Sequence, residues 1–141
     1  MENEKTLKCR EDLKNISQIE NFITNYELKE LIRDITEVSI KIIRFSDADD
    51  ENLLKNFFNY YIPQYLKILN TYKSALDANV DLNAIKNLEV DTVRSSKALA
   101  EGLLKLFEDV LKNDFKDIEA EMKVFEEFLS NKGLTKNDFN L

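Results

Sequence analysis

The sequence predicts an all-α protein: an up-down antiparallel bundle of three long helices, or of four if the last apolar run is divided. Its 141 residues contain only two glycines and one proline, too few for the tight turns of a β-sandwich or barrel. Apolar residues recur every three or four positions along most of the chain, which is the spacing of one helix face. Nothing resembling a linker divides the chain, so we expect residues 1–141 to form one helical-bundle domain.

The first helix is predicted over residues 5–45, which contain no glycine or proline. Apolar positions step by three and four on both sides of Tyr26, but their phase shifts there by two residues. Such a shift indicates a bend, a rotation of the buried face or two separate helices. We interpret the region as one long helix with an irregularity near Asn25.

An acidic segment at residues 47–51 separates this helix from the next, and its aspartates suit the positive N-terminal end of a helix. The second apolar run covers residues 54–76 and keeps its phase across Pro63. Proline removes one helical hydrogen bond and clashes with the carbonyl four residues earlier, here that of Asn59. We therefore expect a helix that is kinked at Pro63 and not broken.

The third apolar run covers residues 85–110, where Thr92 and Ser95 interrupt it with small polar groups. We expect looser packing at that point. Helical spacing then continues through residues 111–129. Either the third helix extends to the end of this run, or a fourth helix starts at Asp114.

Charge and cysteine content exclude several classes of function. With 27 acidic and 20 basic residues the net charge is −7, which disfavours binding to nucleic acid. No apolar run reaches the roughly 18 residues of a membrane span, and the first residues do not resemble a signal peptide. A single cysteine cannot form an intrachain disulfide. These features favour a cytoplasmic protein, and the abundance of Lys, Asn, Ile and Phe favours a bacterial source.

The absence of histidine removes imidazole chemistry, both as a general base and as a metal ligand. Cys9 stands between Lys8 and Arg10, which would lower the pKa of its thiol, yet we interpret it as a surface cysteine of a frayed helix. No cofactor is expected. Apolar residues leading into Asp47-Ala48-Asp49 resemble the start of a haloacid-dehalogenase phosphatase site, but that chemistry needs a preceding strand. A helix-capping loop is the interpretation adopted.

Three carboxylates near the end of the chain form the one candidate metal site. Asp114, Asp117 and Glu121 follow one another at three- and four-residue spacing, so they share a helix face. Oxygen ligands of this kind bind Mg²⁺ or Ca²⁺. The alternative is a solvated acidic face beside neighbouring lysines.

Two segments resemble one known family. Residues 57–72 read FFNYYIPQYLKILNTY and resemble the NYYLPTTLKLLxxY signature of the 5-bromo-4-chloroindolyl phosphate hydrolysis protein family (XpaC-like). Residues 111–134 resemble the acidic end of that family, and the resemblance covers about residues 53–134. The positions that match the characteristic residues of the family are Asn59, Tyr60, Tyr61, Pro63, Asp114, Asp117 and Glu121.

The resemblance implies a link to hydrolysis of a chromogenic phosphate ester and gene neighbourhood with toxic-anion (tellurite) resistance proteins. It implies no known catalytic centre. We therefore expect a non-enzymatic helical interaction module, linked to toxic-anion resistance or stress, that binds a protein partner such as a toxic-anion-resistance protein or forms a homo-oligomer. The alternative is a phosphoric ester hydrolase that uses Mg²⁺ or Mn²⁺ held by Asp114, Asp117 and Glu121.

Overall fold

A computed structural model describes residues 3–79 and 81–133, and every regular element within them is a helix. The all-α class predicted from the sequence is confirmed. No helix in these residues is both long enough and apolar enough to cross a membrane. The four long helices are α1 (Glu4–Glu20), α2 (Tyr26–Phe45), α3 (Ile62–Asp77) and α4 (Leu82–Asn131).

The first apolar run forms two helices, so the single long helix favoured by the sequence is wrong. α1 ends at Glu20, and α2 begins after Asn25. The Asn25 side-chain oxygen accepts a hydrogen bond of 2.8 Å from the backbone N–H of Leu28, which is the bond of a helix N-cap. The phase shift at Tyr26 therefore marks a helical hairpin and not a bend.

α2 and α4 pack side by side and run in the same direction. At one end the Asn25 amide donates a hydrogen bond to the Glu89 carboxylate, and at the other end the Phe45 ring lies 5.7 Å from the Phe107 ring. Because the residue numbers rise together on both helices, the two are parallel. The antiparallel arrangement predicted for neighbouring helices is wrong for this pair.

α3 and α4 form an antiparallel hairpin, and hydrogen bonds of tyrosine hydroxyls link the two helices. The Tyr72 hydroxyl donates to the Glu89 carboxylate at 3.1 Å, and the Tyr65 hydroxyl lies 2.8 Å from Ser96 Oγ. α1 contacts α2 and α3, and α4 contacts the same two helices, which places α2 and α3 on one diagonal of the bundle. The segment between α2 and α3 is long enough to cross the end of the bundle, which explains how parallel helices become neighbours.

Small polar residues on α4 are hydrogen-bonded inside the bundle. Thr92 and Ser96 are buried, whereas Ser95, which the sequence placed on the packing face, is exposed. Ser96 Oγ donates to the Thr92 carbonyl at 2.7 Å and accepts from Tyr65. This stretch of α4 therefore satisfies its polar groups within the core, as buried hydroxyls require.

Pro63 lies in the first turn of α3, directly after a π-helical turn, Phe57–Tyr61. The N–H of Ile62 bonds to the carbonyl five residues back, that of Phe57, in place of the usual four. The π turn thus alters the backbone hydrogen bonding directly before Pro63. Proline has no N–H to donate, and in a regular α-helix its ring would clash with the carbonyl of Asn59. The chain stays helical across Pro63 as expected, and a bend of the helix axis there remains a prediction.

α4 is much longer than the helices it packs against. Its 50 residues span about 75 Å, whereas the 20 residues of α2 span about 30 Å. Val110 is the last buried residue of α4, and none of residues 111–133 is buried. The third apolar run therefore continues as one helix past Asp114 and leaves the bundle.

Candidate functional site

An acidic loop after α2 is organised by its own carboxylates. Asp47 precedes a short 3₁₀ turn, Ala48–Asp50, and its Oδ1 accepts a hydrogen bond of 2.9 Å from the N–H of Asp49. Asp50 Oδ2 accepts in turn from the N–H of Asp47 at 3.1 Å. Asp47 therefore caps this short turn, whereas α3, the next long helix, begins only at Ile62 and has no side-chain cap. The residues before Asp47 form α2, not the strand that a haloacid-dehalogenase site needs.

The same loop is attached to α4 through a buried carboxylate. The Asp50 side chain is fully buried, and its Oδ1 accepts a hydrogen bond of 3.0 Å from the Asn113 side-chain amide. Both carboxylate oxygens thus have a donor, as burial of a charged group requires. This bond fixes the loop at the point where α4 leaves the bundle.

Carboxylates of the loop and of α4 converge at this point. Within each of two groups, one carboxylate oxygen per residue lies within 4.8 Å of the others; the groups are Asp47, Asp50 and Asp114, and Asp47, Asp49 and Asp117. The structure thus brings Asp114 and Asp117 to the loop, a meeting that spacing along one helix did not indicate. Glu121, the third residue of the sequence-predicted metal set, is exposed and belongs to neither group.

The convergence is electrostatically unfavourable for Asp114. Loss of hydration and the negative charges of Asp47, Asp50 and Asp117 raise the pKa of the Asp114 carboxyl above its ordinary value. Groups of oxygen ligands suit hard divalent cations such as Mg²⁺. A positive group placed here, whether a metal ion or a side chain of another protein, would relieve the repulsion.

The residues that match the family signature lie on the surface of the π turn. Asn59, Tyr60 and Tyr61 are exposed, and the two tyrosine rings meet edge to face with centroids 5.9 Å apart. Pro63 is half-buried behind them. Tyr61 also lines an open groove of about 460 Å³ against α4, beside Gly102. Sequence reasoning missed this groove, because it forms only where the π turn meets α4.

Cys9 is a core residue, and the prediction of a surface cysteine is wrong. Its side chain is only 2% exposed. Burial, aided by the charge of Asp12, raises the pKa of the thiol to about 12 and outweighs the opposite effect of Arg10 and Lys8. The thiolate that nucleophilic chemistry needs is therefore scarce at neutral pH.

An apolar stripe follows α4 beyond Val110. Its positions are separated by four, three, four, three and four residues, which is the heptad spacing of a coiled coil. We call this stripe the C-terminal seam; its residues are Leu111, Phe115, Ile118, Met122, Phe125 and Leu129. The sequence assigned these residues to the bundle core, but the structure exposes most of them.

The exposure of the C-terminal seam is large for apolar side chains. Phe115, Met122 and Phe125 are 61%, 58% and 63% exposed. Val124 and Phe128 are equally exposed and widen the apolar surface on one side of the seam. Exposed apolar patches of this kind often mark sites of protein interaction, membrane interaction or ligand binding.

No protein-family model matches the chain, and no curated protein or solved structure gives a significant match. The XpaC-like resemblance of residues 57–72 and 111–134 therefore stays a prediction.

Replacing Asp114 by Asn should raise the free energy of unfolding at neutral pH. Loss of hydration and repulsion from neighbouring carboxylates raise the pKa of Asp114 in the folded protein. Their destabilising effect is therefore present above the folded-state pKa and is lost as the pH falls below the ordinary value of 3.8. The gain from Asp114→Asn should therefore be present at pH 7 and shrink towards pH 4, as measured by chemical denaturation at both pH values.

The matched control is Asp34→Asn on the exposed surface of α2, which should leave stability nearly unchanged at both pH values. Equal effects of the two substitutions, or a loss of stability in Asp114→Asn at pH 7, would contradict the repulsion described here.

Proposed function

We propose that this chain is a non-enzymatic helical interaction module, which binds a helical segment of another protein along the C-terminal seam. The observation that carries the proposal is the position of the seam. It lies on the part of α4 beyond Val110, where the described residues of the chain bury none of its side chains. The heptad spacing of residues 111–129 is the pattern by which one helix packs on another.

The energetics of an isolated helix support this proposal. A helix of about 20 residues without tertiary packing is only marginally stable in water, because most helical stability in proteins comes from burying an apolar face. Burying one side chain such as Phe125 contributes roughly 1.5–3 kcal/mol. A partner helix would therefore both cover the seam and stabilise the helix that presents it.

The remaining chemistry of the chain favours binding over catalysis. The sequence contains no histidine, and the thiol of Cys9 is buried with a raised pKa. The XpaC-like resemblance supports a role beside toxic-anion-resistance proteins in the cytoplasm. We propose a protein of that class as the partner that binds the C-terminal seam. The competing possibility is that the seam binds a second copy of the chain in a homo-oligomer.

Site-specific crosslinking in cells tests the proposal. A photoreactive residue at Met122, on the seam, should give one discrete crosslinked product, whereas the same residue at Lys116, off the seam, should give little. The product should disappear when Ile118→Gln and Phe125→Gln remove two seam side chains. These side chains are exposed, so circular dichroism should find the bundle still folded.

Two results would count against the module. One is equal, diffuse crosslinking from both positions. The other is a seam product that survives Ile118→Gln and Phe125→Gln. Analytical ultracentrifugation of the purified chain separates a product with another protein from a homo-oligomer.

The second candidate function is a metal-dependent hydrolase of phosphate esters. The grouping of Asp114 with Asp47 and Asp50 favours it, because their oxygens lie within 4.8 Å of one another. Purified protein should then release indoxyl colour from 5-bromo-4-chloroindolyl phosphate with Mg²⁺ or Mn²⁺, and Asp114→Asn should lose that activity. Absence of colour across a broad pH range would eliminate this candidate.

A further inference from the structure

Charged residues border the C-terminal seam on both sides. In a coiled coil these bordering positions face the partner and select it by charge. One border consists of Lys112, Glu119 and Glu126, and the other of Asp114, Glu121 and Phe128. Four of the six positions are acidic, so a partner helix would meet negative charge along the borders from Asp114 to Glu126.

The acidic loop adds negative charge at the end of the seam nearest the bundle. Carboxylate oxygens of Asp47 and Asp49 lie within 4.8 Å of an oxygen of Asp117, and Asp47 also groups with Asp114. Loss of hydration, together with the negative charges of Asp47, Asp50 and Asp117, raises the pKa of the Asp114 carboxyl. The seam therefore starts at a site that would gain from a positive partner.

We infer that the partner of the seam is a basic amphipathic helix, with its own apolar heptad stripe and with Lys or Arg at the positions that border it. This inference rests on the proposed function and names the chemistry of the partner. The apolar stripe accounts for the packing, and the acidic borders account for the choice of a basic helix over an acidic or neutral one.

A second copy of the chain fits the C-terminal seam less well than a basic helix does. In a parallel pair, Asp114 would face Glu119 of the other copy, and Glu121 would face Glu126, so that every such contact joins like charges. Like charges at these positions destabilise a helix pair, whereas Lys or Arg in the partner would neutralise each of them.

An antiparallel pair of two copies also lacks favourable charge contacts overall. When two copies are centred near residue 120, Glu119 meets its own counterpart and Glu121 meets its own. Two contacts between Lys112 and Glu126 offset this repulsion, which leaves no net charge complementarity. An anionic membrane surface is disfavoured for the same reason, since its headgroups would face the acidic borders.

Two synthetic helical peptides of about 20 residues test the inference on the full chain. Both carry the same leucine stripe, and they differ only in Lys or Glu at the bordering positions. We expect the basic peptide to bind at least about tenfold more tightly than the acidic one at low salt, and the difference to shrink near 1 M salt, where charges are screened. Fluorescence anisotropy measures both affinities.

Charge reversal beside the seam tests whether the bordering residues cause the preference for the basic peptide. The seam variant carries Glu119→Lys, Glu121→Lys and Glu126→Lys and should prefer the acidic peptide. The control variant has the same net charge but reverses three exposed glutamates of the bundle: Glu11→Lys, Glu37→Lys and Glu101→Lys. It should keep the preference of the wild type for the basic peptide.

Each other outcome overturns the inference. If the acidic peptide binds as tightly as the basic one, or if both variants change alike, the borders do not select the partner. If crosslinking from Met122 succeeds while the basic peptide shows no advantage, the interaction module stands and only its charge preference falls. If neither peptide binds and crosslinking also fails, the proposed function falls as well. Binding to phosphatidylglycerol vesicles would assign the seam to a membrane.

Discussion

The difference in length between α4 and the helices it packs against is the constraint on which the rest of the molecule depends. α2 lies parallel to α4 from Glu89 to Phe107. Beyond Val110 the acidic loop reaches Asn113, Asp114 and Asp117, but none of residues 111–133 is buried. The apolar face of α4 nevertheless continues beyond Val110 as the C-terminal seam, with heptad spacing. An apolar face left exposed in this way is the feature on which the proposed function rests.

Two polar connections hold α4 in the register that produces this overhang. Within the bundle, the hydroxyls of Tyr65 and Tyr72 bond to Ser96 and Glu89. At the exit, the buried Asp50 accepts from Asn113 and ties the acidic loop to the helix. Because a buried polar group left without its partner costs free energy, these bonds oppose sliding of α4 along its neighbours. They also fix the acidic loop at the start of the seam.

The positions of the helical stretches were predictable from the sequence, but which helices pack against each other was not. Periodicity located the helical stretches and the seam positions, although it did not separate α1 from α2. The acidic loop was expected to cap the next long helix, whereas Asp47 caps only a short 3₁₀ turn. The cap at Asn25 had a signal, because Asn is a preferred N-cap and stands at the phase shift. Cys9 precedes Leu13 and Ile16 at four- and three-residue spacing, which indicated burial. In contrast, the parallel packing of α2 on α4 depends on a chain crossing that local residues do not encode.

The meeting of Asp47 with Asp114 follows from that crossing, whereas the exposure of Phe125 follows from the length of α4. Apolar spacing shows only that a face needs cover and does not show which chain supplies it. Hydrogen–deuterium exchange along α4, in the isolated chain at a concentration where it is monomeric, tests this most directly. We predict slow exchange up to Val110 and fast exchange over residues 115–131. Equally slow exchange over both parts would show that the chain covers its own seam and would contradict the account.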